Sequence, residues 1–128
     1  ADRVQWALTI AQGFFERTEF TTEELDMTAV IFSMPAATPF IAMVDGEAAA
    51  ASVMTRQNHL AMLAGDATVP RYRRRGLQAA MIQARLAYAA THGCDLAVAA
   101  VWPGSASQTN YERLGFRLVY TKALMILE

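Results

Sequence analysis

The first group of candidate functional residues forms a basic turn. Residues 71–75 contain four arginines, and Gly76 follows them directly. An apolar run precedes this turn and a helical pattern follows it, so the pattern predicts a strand, a turn and a helix. A helix N-terminus carries free backbone N–H groups and the positive end of the helix dipole, and a turn of successive amides adds donors. Gly76 has no Cβ, which lets the backbone approach a ligand closely. The segment from Arg74 to Ala79 therefore predicts a binding site for a phosphate or pyrophosphate.

On charge alone, two other interpretations of the basic turn stay open. A run of charged residues is usually a solvated surface feature, and this is the simplest alternative. Nucleic-acid binding is the other, but the whole chain has a formal net charge of -1, whereas nucleic-acid-binding domains usually carry a broad basic face. A nucleic-acid partner is therefore not expected.

Two short motifs resemble those of the GNAT superfamily of N-acetyltransferases. The stretch from Arg73 to Gln78 resembles the signature Q/R-x-x-G-x-G/A, except that Gln78 stands where Gly or Ala is usual. The stretch from Asn110 to Phe116 is similar to the segment Y-E-x-x-G-F, and the resemblance covers roughly residues 39–128. It implies that acetyl-CoA is the co-substrate and that its pyrophosphate binds to the backbone of six residues, namely Arg74, Arg75, Gly76, Leu77, Gln78 and Ala79.

The resemblance also implies roles for single residues. The backbone N–H of Val69 matches the donor that polarises the thioester carbonyl, an oxyanion-type stabiliser. Tyr111 matches the general acid near the cofactor sulfur, since a phenol can return a proton to a leaving thiolate, and packing of a helix against the sheet is the alternative. Ser107 and Asn110 match polar positions that contact the cofactor, with helix capping as the alternative for Ser107.

The base that removes the proton of the amine is the least determined role. Asp66 lies on the strand before the basic turn, and strand alternation predicts that it shares a face with Met62, Ala64 and Thr68. The usual glutamate position of the superfamily falls near Met62, which cannot act as a base. Three possibilities stay open: Asp66 is the base, Asp66 is a structural acid paired with an arginine of the turn, or a water chain is the base.

The composition is that of one globular domain, residues 1–128. A chain of this length can form a single core, and 54% hydrophobic residues against 18% charged residues favour a folded chain. The single cysteine, Cys94, excludes an internal disulfide and fits a reducing cytoplasm. No apolar run has the length of a transmembrane helix, and no signal peptide is visible. No residues have metal-ligand spacing, so neither a metal nor a membrane partner is expected.

Two helices are predicted before the first strand. Residues 4–15 form an amphipathic pattern, and a capping box of Thr21 and Glu24 begins a second helix that runs to about Phe32 and is stopped by Pro35. The apolar face of the first helix is predicted to contain six residues, namely Val4, Ala7, Leu8, Ala11, Phe14 and Phe15.

Three antiparallel strands should follow. The dipeptide Asp45-Gly46 between apolar runs at 40–44 and 48–55 is a strong hairpin signal. A second turn at residues 57–58 leads to a strand at 59–69, in which Gly65 predicts a bulge. In the superfamily this bulge splays the strand from its neighbour and opens the cofactor cleft.

The second half of the chain predicts a parallel crossover. A long helix at 76–92 leads to an apolar strand at 95–101, and then to a short helix and two final strands at 116–120 and 123–127. The predicted fold is α/β, a mixed central sheet of antiparallel strands with a parallel splayed pair, flanked by helices. The first strand of the superfamily fold is not evident. The apolar stripe of the long helix is predicted to contain Leu77, Ala80, Met81, Ala84, Leu86 and Ala87.

The resemblance implies an enzyme that moves the acetyl group of acetyl-CoA to a primary amine of a small molecule or peptide by direct attack on the thioester. One alternative is a non-catalytic acyl-CoA-binding module or one lobe of a larger two-lobed protein. The missing strand and glutamate favour that alternative, whereas Tyr111 favours the enzyme. An interaction domain that kept only the fold is the third possibility. An unpaired edge at residues 40–44 predicts a homodimer or an upstream segment that covers it.

Overall fold

The computed structural model describes residues 2–30 and 37–127. Two helices precede a three-stranded meander, and a long helix then connects the meander to a fourth strand and a short helix. The elements in chain order are α1 (Asp2–Phe15), α2 (Thr22–Ala29), β1 (Ala37–Val44), β2 (Glu47–Gln57), β3 (Leu60–Thr68), a 3₁₀ turn (Pro70–Tyr72), α3 (Leu77–Thr91), β4 (Leu96–Ala99) and α4 (Ala106–Arg113).

The strands form one mixed sheet in the order β1-β2-β3-β4. β1, β2 and β3 are antiparallel, and β4 runs parallel to β3. Asp45 and Gly46 both have positive φ, 50° and 81°, which is the conformation that a tight two-residue hairpin requires. The predicted α/β class, the hairpin and the parallel crossover are therefore confirmed.

The predicted bulge is present in β3. Ala51 pairs with Ala67 and Val53 pairs with Ala64, so Gly65 and Asp66 together oppose one residue of β2. Gly65 has a φ of +66°, a conformation that L side chains rarely adopt. β4 pairs only with Leu60–Leu63, so the two parallel strands separate just before the bulge. The separation leaves a cleft beside the second half of β3.

Helices cover both faces of the sheet. On one face, Trp6 and Ile10 of α1 pack against Val53 and Ala67. On the other face, Ile82 of α3 and residues of α4 pack in a second core around Leu63. The predicted capping box of α2 is present and the described helix ends at Ala29. The predicted stop near residues 32–35 lies outside the described residues.

The buried faces of two helices differ from the predicted ones. Val4, Phe14 and Phe15 of α1 are more than half exposed, while the buried face is centred on Trp6, whose indole N–H donates to the Ser52 carbonyl oxygen at 2.9 Å. Contact with the sheet, and not side-chain size, decides burial in α1, because Ala7 and Ala11 are buried while the larger Phe14 and Phe15 are exposed. The buried face of α3 also differs from the prediction, since Ala80, Ala84 and Ala87 are exposed and the buried residues are Met81, Ile82, Arg85 and Ala89.

The two predicted C-terminal strands are wrong. Residues 116–127 form neither helix nor strand, and residues 117–127 are exposed. A lone hairpin is marginal in water, so apolar residues that meet no packed face cannot hold one. β4 is consequently shorter than the predicted 95–101 and is not fully buried, with Leu96 62% exposed. Among the described residues, β1 and β4 form the edges of the sheet.

Candidate active site

The predicted turn and helix lie at the end of β3. The chain passes through the 3₁₀ turn to Gly76, which is the N-cap of α3 with a φ of +75°. A Cβ at Gly76 would meet no atom within 4 Å, so the backbone conformation, and not lack of space, favours glycine. No side chain caps this helix. Its first amides are therefore available to an anion.

The arginines of the turn divide into two pairs. Arg71 binds Glu47 at 3.1 Å and Arg73 binds Glu16 at 2.6 Å, so these two side chains fasten the turn to β2 and to the end of α1. Arg74 and Arg75 are exposed, and neither forms an ion pair with any described residue. Their charges remain free to neutralise a phosphate beside the α3 N-terminus.

The other two residues of the predicted cradle lie in the first turn of α3. Leu77 is half-buried and packs on the small core formed by Val69 and Tyr72. Ala79 is also half-buried. Both contribute backbone amides to the helix N-terminus, as the sequence predicts.

The amide predicted to polarise a thioester is engaged in the sheet. The Val69 N–H donates to the Ala49 carbonyl oxygen at 2.8 Å, and the Val69 side chain is buried. This amide therefore points to β2, away from the cleft. Successive amides of a strand point to opposite edges of that strand. Thr68 lies opposite Ala50 in the strand register, and its N–H is therefore directed away from β2, to the edge of β3 that β4 leaves uncovered.

Asp66 lies on a different sheet face from the one that strand alternation predicts. The bulge adds a residue and reverses the alternation, so Asp66 turns to the α3 side while Met62 and Ala64 are exposed. Its Oδ1 lies 2.7 Å from Arg85 Nη1. Its Oδ2 accepts hydrogen bonds from the Tyr111 hydroxyl and from Gln78 Nε2, the latter at 3.0 Å. Asp66 is thus paired with an arginine of α3 and not with one of the turn.

Arg85, which is 0% exposed, is a site residue that was absent from the predicted set. Its Nε donates to the Met81 carbonyl oxygen at 3.2 Å, and Nη1 donates to the carbonyl oxygens of Val53 and Ala64 at 3.2 and 3.4 Å. The spacing of Met81, Arg85 and Ala89 at four-residue intervals was the available signal, because it places the arginine on one helix face with two buried neighbours.

Tyr111 lies in α4 and is 4% exposed. Its hydroxyl donates to Asp66 and accepts from Arg85 Nη2 at 3.4 Å, and its ring packs edge-on against Phe116 with centroids 4.9 Å apart. Burial raises the pKa of the Tyr111 hydroxyl well above 10, and the negative charge of Asp66 raises it further. Tyr111 is therefore protonated at neutral pH, with its proton directed at Asp66.

Gln78 connects α3 to α4 across the cleft. Its Nε2 donates to Ser107 Oγ at 2.7 Å, and its Oε1 accepts from Asn110 Nδ2 at 2.7 Å. Ser105, and not Ser107, caps α4 by accepting from the Gln108 N–H. The polar groups of Ser107 and Asn110 that were predicted to contact a cofactor are therefore bonded to the Gln78 side chain.

Two further properties concern the described residues alone. No group of three or more His, Cys, Asp or Glu side chains in residues 2–30 and 37–127 could hold a metal ion. No helix in this part of the chain combines the length and apolar character needed to cross a membrane.

The fold of this chain is similar to the folds of solved acetyltransferase structures. One structure, of the aminoglycoside acetyltransferase AAC(6')-Iy with a CoA-containing bisubstrate analogue, has a TM-score of 0.75 at 20% identity and covers 98% of this chain and 91% of its own. Ribosomal-protein-alanine N-acetyltransferase from Brucella melitensis has a TM-score of 0.79 at 13% identity, covering 99% and 93%. AAC(6')-IG from Acinetobacter haemolyticus has a TM-score of 0.70 at 16% identity, covering 97% and 90%. These likenesses establish the fold.

Sequence comparison provides the family. No curated protein sequence matches this chain. The family model described as the acetyltransferase (GNAT) family matches residues 4–116, which is most of the chain. The chain therefore belongs to the GNAT acetyltransferase family.

Proposed function

We propose that the chain transfers the acetyl group of acetyl-CoA to a primary amine by direct attack on the thioester. The observation that carries this proposal is the N-terminus of α3, which no described side chain caps, with Arg74 and Arg75 beside it and in no ion pair with a described residue. It lies at the end of β3, on the side where β4 diverges. The backbone from Arg74 to Ala79 would hold the pyrophosphate through the helix dipole and its free amides.

The Thr68 amide replaces Val69 as the proposed polariser of the thioester carbonyl. It points to the open edge of β3, whereas the Val69 amide is bonded to β2. A backbone donor held in a sheet has a fixed orientation, so it costs little reorganisation when negative charge develops on the carbonyl oxygen.

Tyr111 is the proposed general acid. The amine nitrogen bonds to the acetyl carbon, the carbon–sulfur bond breaks, and the departing thiolate takes the Tyr111 proton. Burial and Asp66 raise the pKa of Tyr111, which makes it a weaker acid than an ordinary phenol and favours return of a proton from solvent to the phenolate after each transfer. Asp66 is better suited to orienting Tyr111 than to acting as the base, since Oδ2 already accepts two hydrogen bonds and Oδ1 lies 2.7 Å from Arg85 Nη1 in an ion pair. The proton lost by the amine passes to water.

The test combines binding with turnover. Calorimetry with acetyl-CoA measures binding, and release of the CoA thiol in the presence of amines measures transfer. The panel contains neamine, a peptide with an N-terminal alanine and a lysine-containing peptide, because relatives of similar fold act on aminoglycosides or a ribosomal-protein alanine. Binding of acetyl-CoA without turnover on any amine would favour the non-catalytic acyl-CoA-binding module. Absence of binding would favour an interaction domain that kept only the fold.

The proposal includes a small-molecule or peptide acceptor and a cytoplasmic location. Cys94 is unpaired, which suits a reducing compartment. The aminoglycoside acetyltransferases of similar fold favour a small polyamine over a peptide as the first acceptor to assay.

Replacing Gln78 with Ala should leave the affinity for CoA unchanged or raise it by a few fold. The backbone amide at position 78 remains, while Ser107 and Asn110 lose the side chain that now occupies them. A hydrogen bond of this kind contributes about 0.5–1.5 kcal/mol, so the gain is bounded by roughly tenfold. Calorimetry with CoA measures the affinity. The matched control is Ser107→Ala, which breaks the same hydrogen bond by removing the hydroxyl that accepts from Gln78 Nε2. If Gln78→Ala bound CoA tenfold more weakly than the wild type, the Gln78 side chain itself would bind the cofactor.

We further propose that the chain forms a homodimer through the free edge of β1. Unpaired edge strands offer backbone donors and acceptors to a second strand, and β1 ends the sheet among the described residues. Met43 of β1 is 57% exposed, so Met43→Lys places a charge on this edge without entering the core. Ultracentrifugation should show a dimer for the wild type and a shift to monomer for Met43→Lys. A monomeric wild type at all concentrations would contradict the proposal.

A further inference from the structure

We propose that Arg85 is a positioning residue for acetyl transfer, and this inference rests on the proposed function. Arg85 holds the Asp66 carboxylate and, through it, the Tyr111 hydroxyl, and it also holds the β3 bulge. It would touch neither acetyl-CoA nor the amine, because its guanidinium is fully buried between α3 and the sheet.

The contacts of Arg85 join the elements that form the cleft. Nη1 lies 2.7 Å from Asp66 Oδ1 and also donates to two carbonyl oxygens, those of Val53 and Ala64, which form the last strand pair before the bulge. Nη2 donates to the Tyr111 hydroxyl of α4 at 3.4 Å. One guanidinium thus binds β2, the residue before the bulge and the second bulge residue in β3, and α4.

Stability alone does not account for such a group. Burying an ion pair costs desolvation that its attraction often only balances, and apolar residues of similar volume can be equally stable. An apolar cluster could not, however, orient a carboxylate or donate to a hydroxyl. What Arg85 adds beyond packing is the orientation of Asp66 and Tyr111.

The orientation has a chemical consequence. With Oδ1 fixed by Arg85, Asp66 presents Oδ2 to the Tyr111 hydroxyl and to Gln78. The Tyr111 oxygen accepts from Arg85 while its hydroxyl donates to Asp66 Oδ2, so the phenol has a defined position at the cleft wall. Loss of this orientation should lower kcat and leave cofactor binding at the α3 N-terminus unchanged, because the hydrogen bonds of Arg85 go to Met81, Val53, Ala64 and Tyr111 and not to the backbone amides of residues 74–79.

Arg85→Lys is the first test variant, since it keeps the charge and loses the fork of donors. We expect kcat to fall by about 100-fold, as for a misplaced catalytic group, while the Kd for CoA and the KM for acetyl-CoA stay within about threefold. Arg113→Lys, at an exposed site in the last turn of α4, is the matched control and should behave as the wild type.

A second variant separates positioning from folding. Arg85→Met combined with Asp66→Leu removes both charges and should recover the thermal midpoint of the wild type while kcat stays low. A double variant with wild-type kcat would overturn the proposal, as would an Arg85→Lys variant whose Kd for CoA rises by as large a factor as its kcat falls.

Hydrogen exchange separates this proposal from the proposed function. Amides at residues 64–67 should exchange faster in Arg85→Lys than in Arg113→Lys, because the carbonyl oxygens of Val53 and Ala64, beside the bulge, lose a donor. If the wild type transfers acetyl to no amine, the proposed function fails and this measurement alone decides whether Arg85 holds the bulge. Unchanged exchange would then overturn the positioning role.

Discussion

Replacing Tyr111 with Phe is expected to lower kcat by about 10²–10⁴-fold, the usual contribution of a general acid, while the affinity for CoA changes by only a few fold. The substitution keeps the ring, so the edge-on contact with Phe116 at 4.9 Å between centroids should persist. It removes the proton that would pass to the leaving thiolate. Calorimetry with CoA and thiol release with an accepted amine measure the two effects separately.

Two outcomes would contradict the acid role of Tyr111. Intact turnover would make Tyr111 a packing residue, and a parallel loss of affinity and turnover would make it part of the binding site. A matched control is Tyr88→Phe, which removes a phenolic hydroxyl on α3 that is hydrogen-bonded to neither Asp66 nor Arg85. It should retain both affinity and kcat.

The raised pKa of Tyr111 also predicts a pH dependence of stability. A group with a folded-state pKa above its unfolded value stabilises the fold below the unfolded value, which is about 10 for tyrosine, and this contribution is lost as the pH rises through the folded value. The wild type should therefore lose stability above about pH 10 more steeply than Tyr111→Phe. Urea denaturation at a series of alkaline pH values measures the difference.

Replacing Gly76 with Glu is expected to weaken CoA binding by at least about 100-fold, because juxtaposed like charges cost several kcal/mol. The new carboxylate would stand at the N-terminus of α3, where the phosphates are proposed to bind. Gly76 also has a φ of +75°, which strains any side chain with a Cβ, although the site has space for one.

The matched control for this substitution is Gly76→Asn, since asparagine tolerates the left-handed conformation and carries no charge. Calorimetry should show Gly76→Asn binding CoA within several fold of the wild type. Equal affinity for the wild type and Gly76→Glu would mean that the anion does not lie on the α3 N-terminus.

Structure could be predicted from the sequence wherever a few neighbouring residues determine the backbone conformation. Asp45-Gly46 predicts the hairpin because its residues adopt positive φ readily. Gly65 predicts the bulge for the same reason, and Thr21 with Glu24 predicts the cap of α2 because its donors lie three residues away. The strand, turn and helix around Gly76 belong to this group as well, and with them the candidate phosphate site.

Packing between distant segments decided the rest. The bulge reverses strand alternation, so Asp66 faces Arg85 and not the side of Met62. The Val69 amide is hydrogen-bonded to β2, whereas the Thr68 amide faces the cleft. No local pattern at residues 116–127 could show that the predicted strands would lack a packed face.

The family, the order of the elements up to α4 and the position of the candidate anion site can be predicted from short motifs and backbone preferences. Which charges are buried and which donors face the cleft depends on how the elements pack together. The physical reason is that a guanidinium such as Arg85 can be buried only where a carboxylate and several carbonyl oxygens converge. Those partners come from α3, β2, β3 and α4, so their meeting depends on the whole fold and not on any one segment.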